Sequence, residues 1–193
     1  TLLLVISTKA FSQEKYFFFT LDMNKPMVNT TWIERPSARG FKAGYRAFIN
    51  PKFSAGLDIG ANTFSQYNPT ETYQNGNGAT TTDFFKYIYS YSATVNGQYN
   101  FQAGEGERFF PYVGMGLGAN NNEYVVYYNI YRDSERAWGF LARPEAGLLV
   151  RIGRSFGLMA AIHYDYSTNR SSKFDYNNFS GVGVQVGVTL IDL

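Results

Sequence analysis

From Gln13 onward, apolar and polar positions alternate with a period of two, and helix-period signals are scarce. In residues 15–24, Phe17, Phe19, Leu21 and Met23 share one face, and Tyr16, Phe18, Thr20 and Asp22 share the other. Residues 40–49 set Phe41, Ala43, Tyr45, Ala47 and Ile49 against Lys42, Gly44, Arg46 and Phe48, and Asn50-Pro51-Lys52 then reads as a tight turn. Residues 53–64 resume with Phe53, Ala55, Leu57, Ile59 and Ala61 opposite Ser54, Gly56, Asp58, Gly60 and Asn62. A polar stretch from Tyr67 to Asp83 breaks the pattern and predicts a long loop. The longest alternation follows, with Phe85, Tyr87, Tyr89, Tyr91, Ala93, Val95 and Tyr99 on its apolar side.

After a short loop at 102–107, a fifth segment sets Val113, Met115, Leu117 and Ala119 against Tyr112, Gly114, Gly116 and Gly118. Residues 120–138 have strand composition around Tyr124–Tyr131 and turn residues at 132–135, which predicts a hairpin prolonging strands five and six. In strand six Arg143, Glu145, Gly147, Leu149 and Arg151 oppose Phe140, Ala142, Pro144, Ala146, Leu148 and Val150. Strand seven places Met159, Ala161, His163 and Asp165 opposite Leu158, Ala160, Ile162, Tyr164 and Tyr166. Strand eight alternates Val182, Val184, Val186, Val188 and Leu190 with Gly181, Gly183, Gln185, Gly187 and Thr189. The connections alternate long and short, long after strands one, three, five and seven. That asymmetry belongs to barrels with long extracellular loops and short periplasmic turns. The prediction is an all-β, eight-stranded antiparallel up-and-down transmembrane β-barrel.

Alternation alone also fits a soluble barrel with an apolar interior. Composition decides between them. Charged residues are 17% of the chain, below the roughly 25% of soluble domains. The polar face carries Gly, Ser, Thr, Asn and isolated ions, which suits a narrow packed lumen better than a wetted surface. Aromatics are 18% and gather near strand ends at Phe109, Phe110, Tyr112, Tyr164 and Tyr166, as interfacial girdles do. At the start of the chain, apolar Leu2–Ile6 precedes Ala10-Phe11-Ser12, with small residues at −3 and −1 of a cleavage after Ser12. Residues 1–12 are therefore expected to be a signal-peptide remnant and 13–193 the barrel. Location in the bacterial outer membrane follows.

The segment Phe110-Pro111-Tyr112-Val113-Gly114-Met115-Gly116-Leu117-Gly118 resembles the PYvGaGlG strand of the OmpA/OmpX-like small outer-membrane β-barrel family. The Gly-spaced last strand, 179–193, is similar too, and the richness in Asn and Tyr resembles Bacteroidetes members. Eight strands leave an interior that side chains fill. The chain departs from the family at its end, Ile191-Asp192-Leu193, where such barrels usually carry an aromatic residue.

Candidate chemistry is sparse. The net charge of +2 has no basic stripe, so nucleic acid is not an expected partner. Zero cysteines remove disulfides and thiolate metal sites. No cluster has metal-ligand spacing and no cofactor is expected. The GxGxG at 114–118 lies inside a strand with no helix after it, so small residues relieving a narrow lumen explain it better than phosphate binding. Parity turns Arg46, Asp58, Arg143, Glu145, His163 and Asp165 inward, with Arg143/Glu145 and His163/Asp165 on adjacent strands. Buried ions must be paired, so these six are read as a lumen polar network, structural or gating, and not as catalytic residues. His163-Tyr164-Asp165 lacks the serine two residues on that lipid A deacylases carry. The expected function is a non-enzymatic structural or surface-interaction role. The alternatives are a small channel or hydrophobic-ligand conduit of OmpW type and, third, a lipid A-modifying enzyme. Expected partners are outer-membrane lipid and lipopolysaccharide, and a protein reached through the loops around Trp32 and 120–138; a monomer is expected.

Overall fold

The computed structural model describes residues 14–28, 32–75, 78–101, 108–128, 131–174 and 176–192. The signal-peptide reading of residues 1–12 lies outside the described residues. Eight strands follow in order: β1 (Lys15–Pro26), β2 (Ser37–Phe48), β3 (Phe53–Asn75), β4 (Gly78–Asn100), β5 (Phe109–Tyr128), β6 (Tyr131–Arg151), β7 (Phe156–Ser167) and β8 (Phe179–Asp192). Each pairs antiparallel with its neighbour, and β1 pairs with β8 from Lys15↔Asp192 to Pro26↔Gly181, which closes the barrel. Over the span in which all eight strands pair, closure leaves no strand edge, so the ladder there satisfies its backbone donors and acceptors internally.

The two faces separate as the alternation predicts. Phe17, Leu21, Leu57, Val95, Leu117 and Ile162 point outward and are about half exposed, while Thr20, Arg46, Asp58 and Gln185 point inward and are buried. Aromatic pairs mark the lower rim of the outer face: Phe17 with Tyr45, and Phe53 with Tyr99. Tyr91, Trp138, Phe140, Tyr164 and Tyr166 mark the upper one. Tyr112 is not a girdle residue. It is 2% exposed and joins Tyr16, Phe18, Leu149 and Met159 inside the barrel, with Phe110 packed against them. The alternation itself explains this, since Phe110 and Tyr112 share the parity of Gly114.

The polar run from Tyr67 to Asp83 is not a loop. β3 and β4 stay paired through it, up to Asn75↔Gly78, with a register shift between Asn68 and Glu71. Above the apolar band the ladder no longer has to sort lipid from lumen, so it persists without the alternation that betrays it in sequence. The β5–β6 hairpin does extend, pairing to Tyr128↔Tyr131. Four strands, β3–β6, thus rise above the shorter β1, β2, β7 and β8. At the opposite end, Asn50 caps the β2–β3 turn, its Oδ1 accepting from the Lys52 and Phe53 amides at 2.9 and 2.8 Å.

The glycines at 114–118 are steric. A Cβ on Gly118 would lie 2.0 Å from the Ala93 carbonyl oxygen, and one on Gly114 about 3.1 Å from both Gln98 and Glu145 side chains. Gly118→Ala is expected to cost about 1–3 kcal/mol, the usual price of overpacking, read as a lower urea midpoint for the barrel refolded into lipid vesicles. An unchanged midpoint would show that β4 and β5 do not approach so closely.

Candidate functional site

The lumen has three layers. At the periplasmic end, Tyr16, Phe18, Tyr112, Leu149, Met159, Ala161 and Ile191 form an apolar cluster. At the other end Phe64, Ile88, Tyr124, Tyr176, Phe179 and Ile33 form a second one, with Trp32 and Phe174 against it. Trp32 is therefore not a free recognition residue. Its ring meets Tyr124 edge-on at 5.6 Å and lies 5.5 Å from Phe174, so the connections after β1 and β7 fold over the mouth. Burial pushes the Tyr124 phenol up to about 12 and raises that of Tyr176 further, so this cap stays neutral.

Between the clusters lies an ionic layer of three cations (Lys42, Arg46, Arg143), four carboxylates (Asp22, Asp58, Glu145, Asp165) and His163, each at most 5% exposed. All six residues singled out from sequence are in it. Arg46 grips Asp58 with both arms, one at 2.7 Å. Arg143 grips Asp165 in the same two-pronged way, again with one arm at 2.7 Å. Such paired, parallel charge-assisted bonds are the strong form of this contact. Glu145 does not bond its strand neighbour His163, although the two are register partners. Its Oε1 accepts from Gln98 at 2.8 Å and Asn96 at 3.3 Å, its Oε2 accepts from Gln185 at 3.4 Å, and Arg46 stands 3.9 Å away. Gly114, between Gln98 and Glu145 in the register, leaves the gap they meet across.

His163 Nε2 lies 3.4 Å from Asp22, 3.4 Å from the Asn24 amide and 3.7 Å from Asp165. Asn24 also donates to Asp165 at 3.1 Å, and Asn62 donates to Asp22 at 3.0 Å. Asp22, Asn24, Lys42, Asn96, Gln98 and Gln185 fall on the same inward parity and complete the layer. The Lys42 ammonium, 1% exposed, has no hydrogen-bond partner among the described residues. Among the described residues no three His, Asp or Glu side chains are grouped to hold a metal ion.

The family model "Outer membrane protein beta-barrel domain" matches residues 1–191. The chain belongs to this family. It is a bacterial outer-membrane protein. No curated protein matches it in sequence. Among solved structures it is similar to Neisserial surface protein A, at 14% identity and a TM-score of 0.57 over 93% of this chain and 97% of that one. It is also similar to Ail, the attachment invasion locus protein of Yersinia pestis, at 15% identity and a TM-score of 0.51 over 93% and 99%. A third similar structure is the outer membrane protease OmpT of Escherichia coli, at 6% identity and a TM-score of 0.50 over 94% and 97%. Surface proteins and a protease on barrels of similar fold illustrate that this fold does not dictate function.

Proposed function

We propose that this barrel is a non-enzymatic structural or surface-interaction protein whose lumen does not conduct. The observation that carries this reading is the ionic layer held between two aromatic clusters: Arg46 and Arg143 bind their carboxylates where an ion path would run, and Trp32 and Phe174 cover the mouth. The six ions Arg46, Asp58, Arg143, Glu145, His163 and Asp165 then serve the fold. Affiliation with OmpA/OmpX-like barrels of Bacteroidetes type belongs to the same reading, supported by the Pro111–Gly118 strand. So do a monomeric state, a cleaved signal peptide over 1–12, contact with lipopolysaccharide, and a protein partner at the extracellular rim.

In planar bilayers the purified barrel is expected to give no steady conductance steps. Steps that vanish in Arg143→Ala or Glu145→Ala would replace this reading with that of a small channel. Lipid A deacylation abolished by His163→Ala would replace it with an enzyme.

A further inference from the structure

The extension of β3–β6 carries an outward face built in regular rungs. Trp138 pairs with Asn121, and Asn121 with Tyr91. This rung closes the apolar band, since Asn121 is the first polar residue on the β5 outer face. One rung higher, Thr63, Tyr89, Glu123 and Arg136 are aligned across four strands. The next aligns Ser65, Tyr87, Val125 and Ser134, and the third Tyr67, Phe85, Tyr127 and Arg132. Each step climbs about 7 Å along the strand.

Two chemistries meet on this face. The Tyr87 and Tyr89 rings stack at 5.9 Å with their planes 3° apart, and Tyr127 meets Tyr87 edge-on at 5.7 Å. Val125 beside them is fully buried although it points outward. Arg132 and Arg136 flank the tyrosines and share one carboxylate, Glu123, at 2.8 and 3.3 Å; their side chains remain 49% and 71% exposed. Two guanidiniums on one acid leave positive charge and unused donors.

We infer that this face, formed by Tyr87, Tyr89, Tyr127, Arg132 and Arg136, binds the phosphorylated saccharide headgroup of an outer-leaflet glycolipid. The occupant follows from position. The rungs continue the same outer face that meets lipid below Trp138, so the layer lying against them is the headgroup layer of that leaflet. The chemistry fits: flat phenol rings accept the apolar faces of sugar rings while their hydroxyls stay wet, and guanidinium forks match phosphate. The inference rests on the proposed surface role and gives that role a place and a ligand class.

The test uses the full folded chain in detergent, titrated calorimetrically with bisphosphorylated lipid A, with the same lipid dephosphorylated, and with inorganic phosphate. The R132Q/R136Q variant is expected to bind bisphosphorylated lipid A about tenfold more weakly, the scale of lost charge-assisted hydrogen bonds. It should bind the dephosphorylated lipid as the parent does. Y87S/Y89S is expected to weaken both lipids. Glu123→Gln, which releases both arginines, should tighten binding of the bisphosphorylated form. Lys25→Gln, which removes an exposed cation from β1 away from this face, should leave binding unchanged. Equal binding by parent and R132Q/R136Q, an equal loss in Lys25→Gln, or no response to Glu123→Gln would each overturn the proposal. Inorganic phosphate competing as strongly as the lipid would overturn the headgroup assignment, and self-association abolished by Y87S/Y89S would reassign the face to a second copy of the chain. Heat-dependent gel mobility reports folding of every variant. Conductance measured in parallel tests the closed-lumen reading separately, since neither result depends on the other.

Discussion

Arg143→Ala is expected to destabilise the barrel by about 3–5 kcal/mol, the cost of leaving a buried charge without its partner. Arg143 is 3% exposed and holds both oxygens of Asp165. Truncation would leave that carboxylate, 5% exposed, with the hydrogen bond from the Asn24 amide in place of a two-pronged guanidinium. The measurement is a urea titration of the protein folded into phosphatidylcholine vesicles, followed by the loss of the fast-migrating form on gels. The paired replacement Arg143→Met with Asp165→Leu separates two meanings of that loss. Removing both charges and filling their space should recover most of the stability, because a buried pair gains little over apolar packing once both desolvation costs are counted. If the single and double variants fall equally, the ionic layer is holding the fold through contacts beyond this pair. If Arg143→Ala is silent, water reaches the layer and the lumen is not sealed.

Val186→Arg is the second large effect, about 2–4 kcal/mol, as a cation at mid-depth on a lipid-facing strand costs. Val186 lies midway along β8, paired with Leu21 and Ala160, and points outward. Depth supplies the internal control. Val182 sits on the same face two rungs nearer the rim, beside Lys25 and Tyr164. Val182→Arg is expected to cost only about 0–1 kcal/mol, because the guanidinium reaches the interface. A flat depth profile in refolding titrations would mean that the outer face of β8 is not where lipid lies.

The lumen ions show how far alternation reaches. Parity needs only the residue number and the period of a strand, so the sequence alone turns Arg46, Asp58, Arg143, Glu145, His163 and Asp165 inward. Partnership could not be read that way. Tyr16 on β1 donates to Gln98 on β4 at 2.8 Å, and Arg46 on β2 approaches Glu145 on β6. Those strands are not neighbours, and they meet only because the closed barrel is narrow and its strands are staggered. Adjacency brings Arg143/Glu145 beside His163/Asp165 without saying which group bonds which; the structure gives Arg143 to Asp165, Glu145 to two amides of β4 and His163 to Asp22. The same holds for Asp22 and Lys42: a residue's face is local, while its height against a distant strand is not.

Hydrophobic alternation read together with composition determined the strand count, the antiparallel order, the lipid-facing set and the inward set, because successive side chains of a strand point to opposite faces. It could not see strand beyond the membrane. Between Tyr67 and Asp83 the ladder continues where both faces meet polar surroundings, so the sequence loses its period while the backbone keeps its hydrogen bonds. Which aromatics plug the mouth and which stand outside was likewise a tertiary decision. Trp32 lies in a connection with no parity to read, and only the packing of the β1–β2 and β7–β8 connections over the barrel puts it against Tyr124 and Phe174.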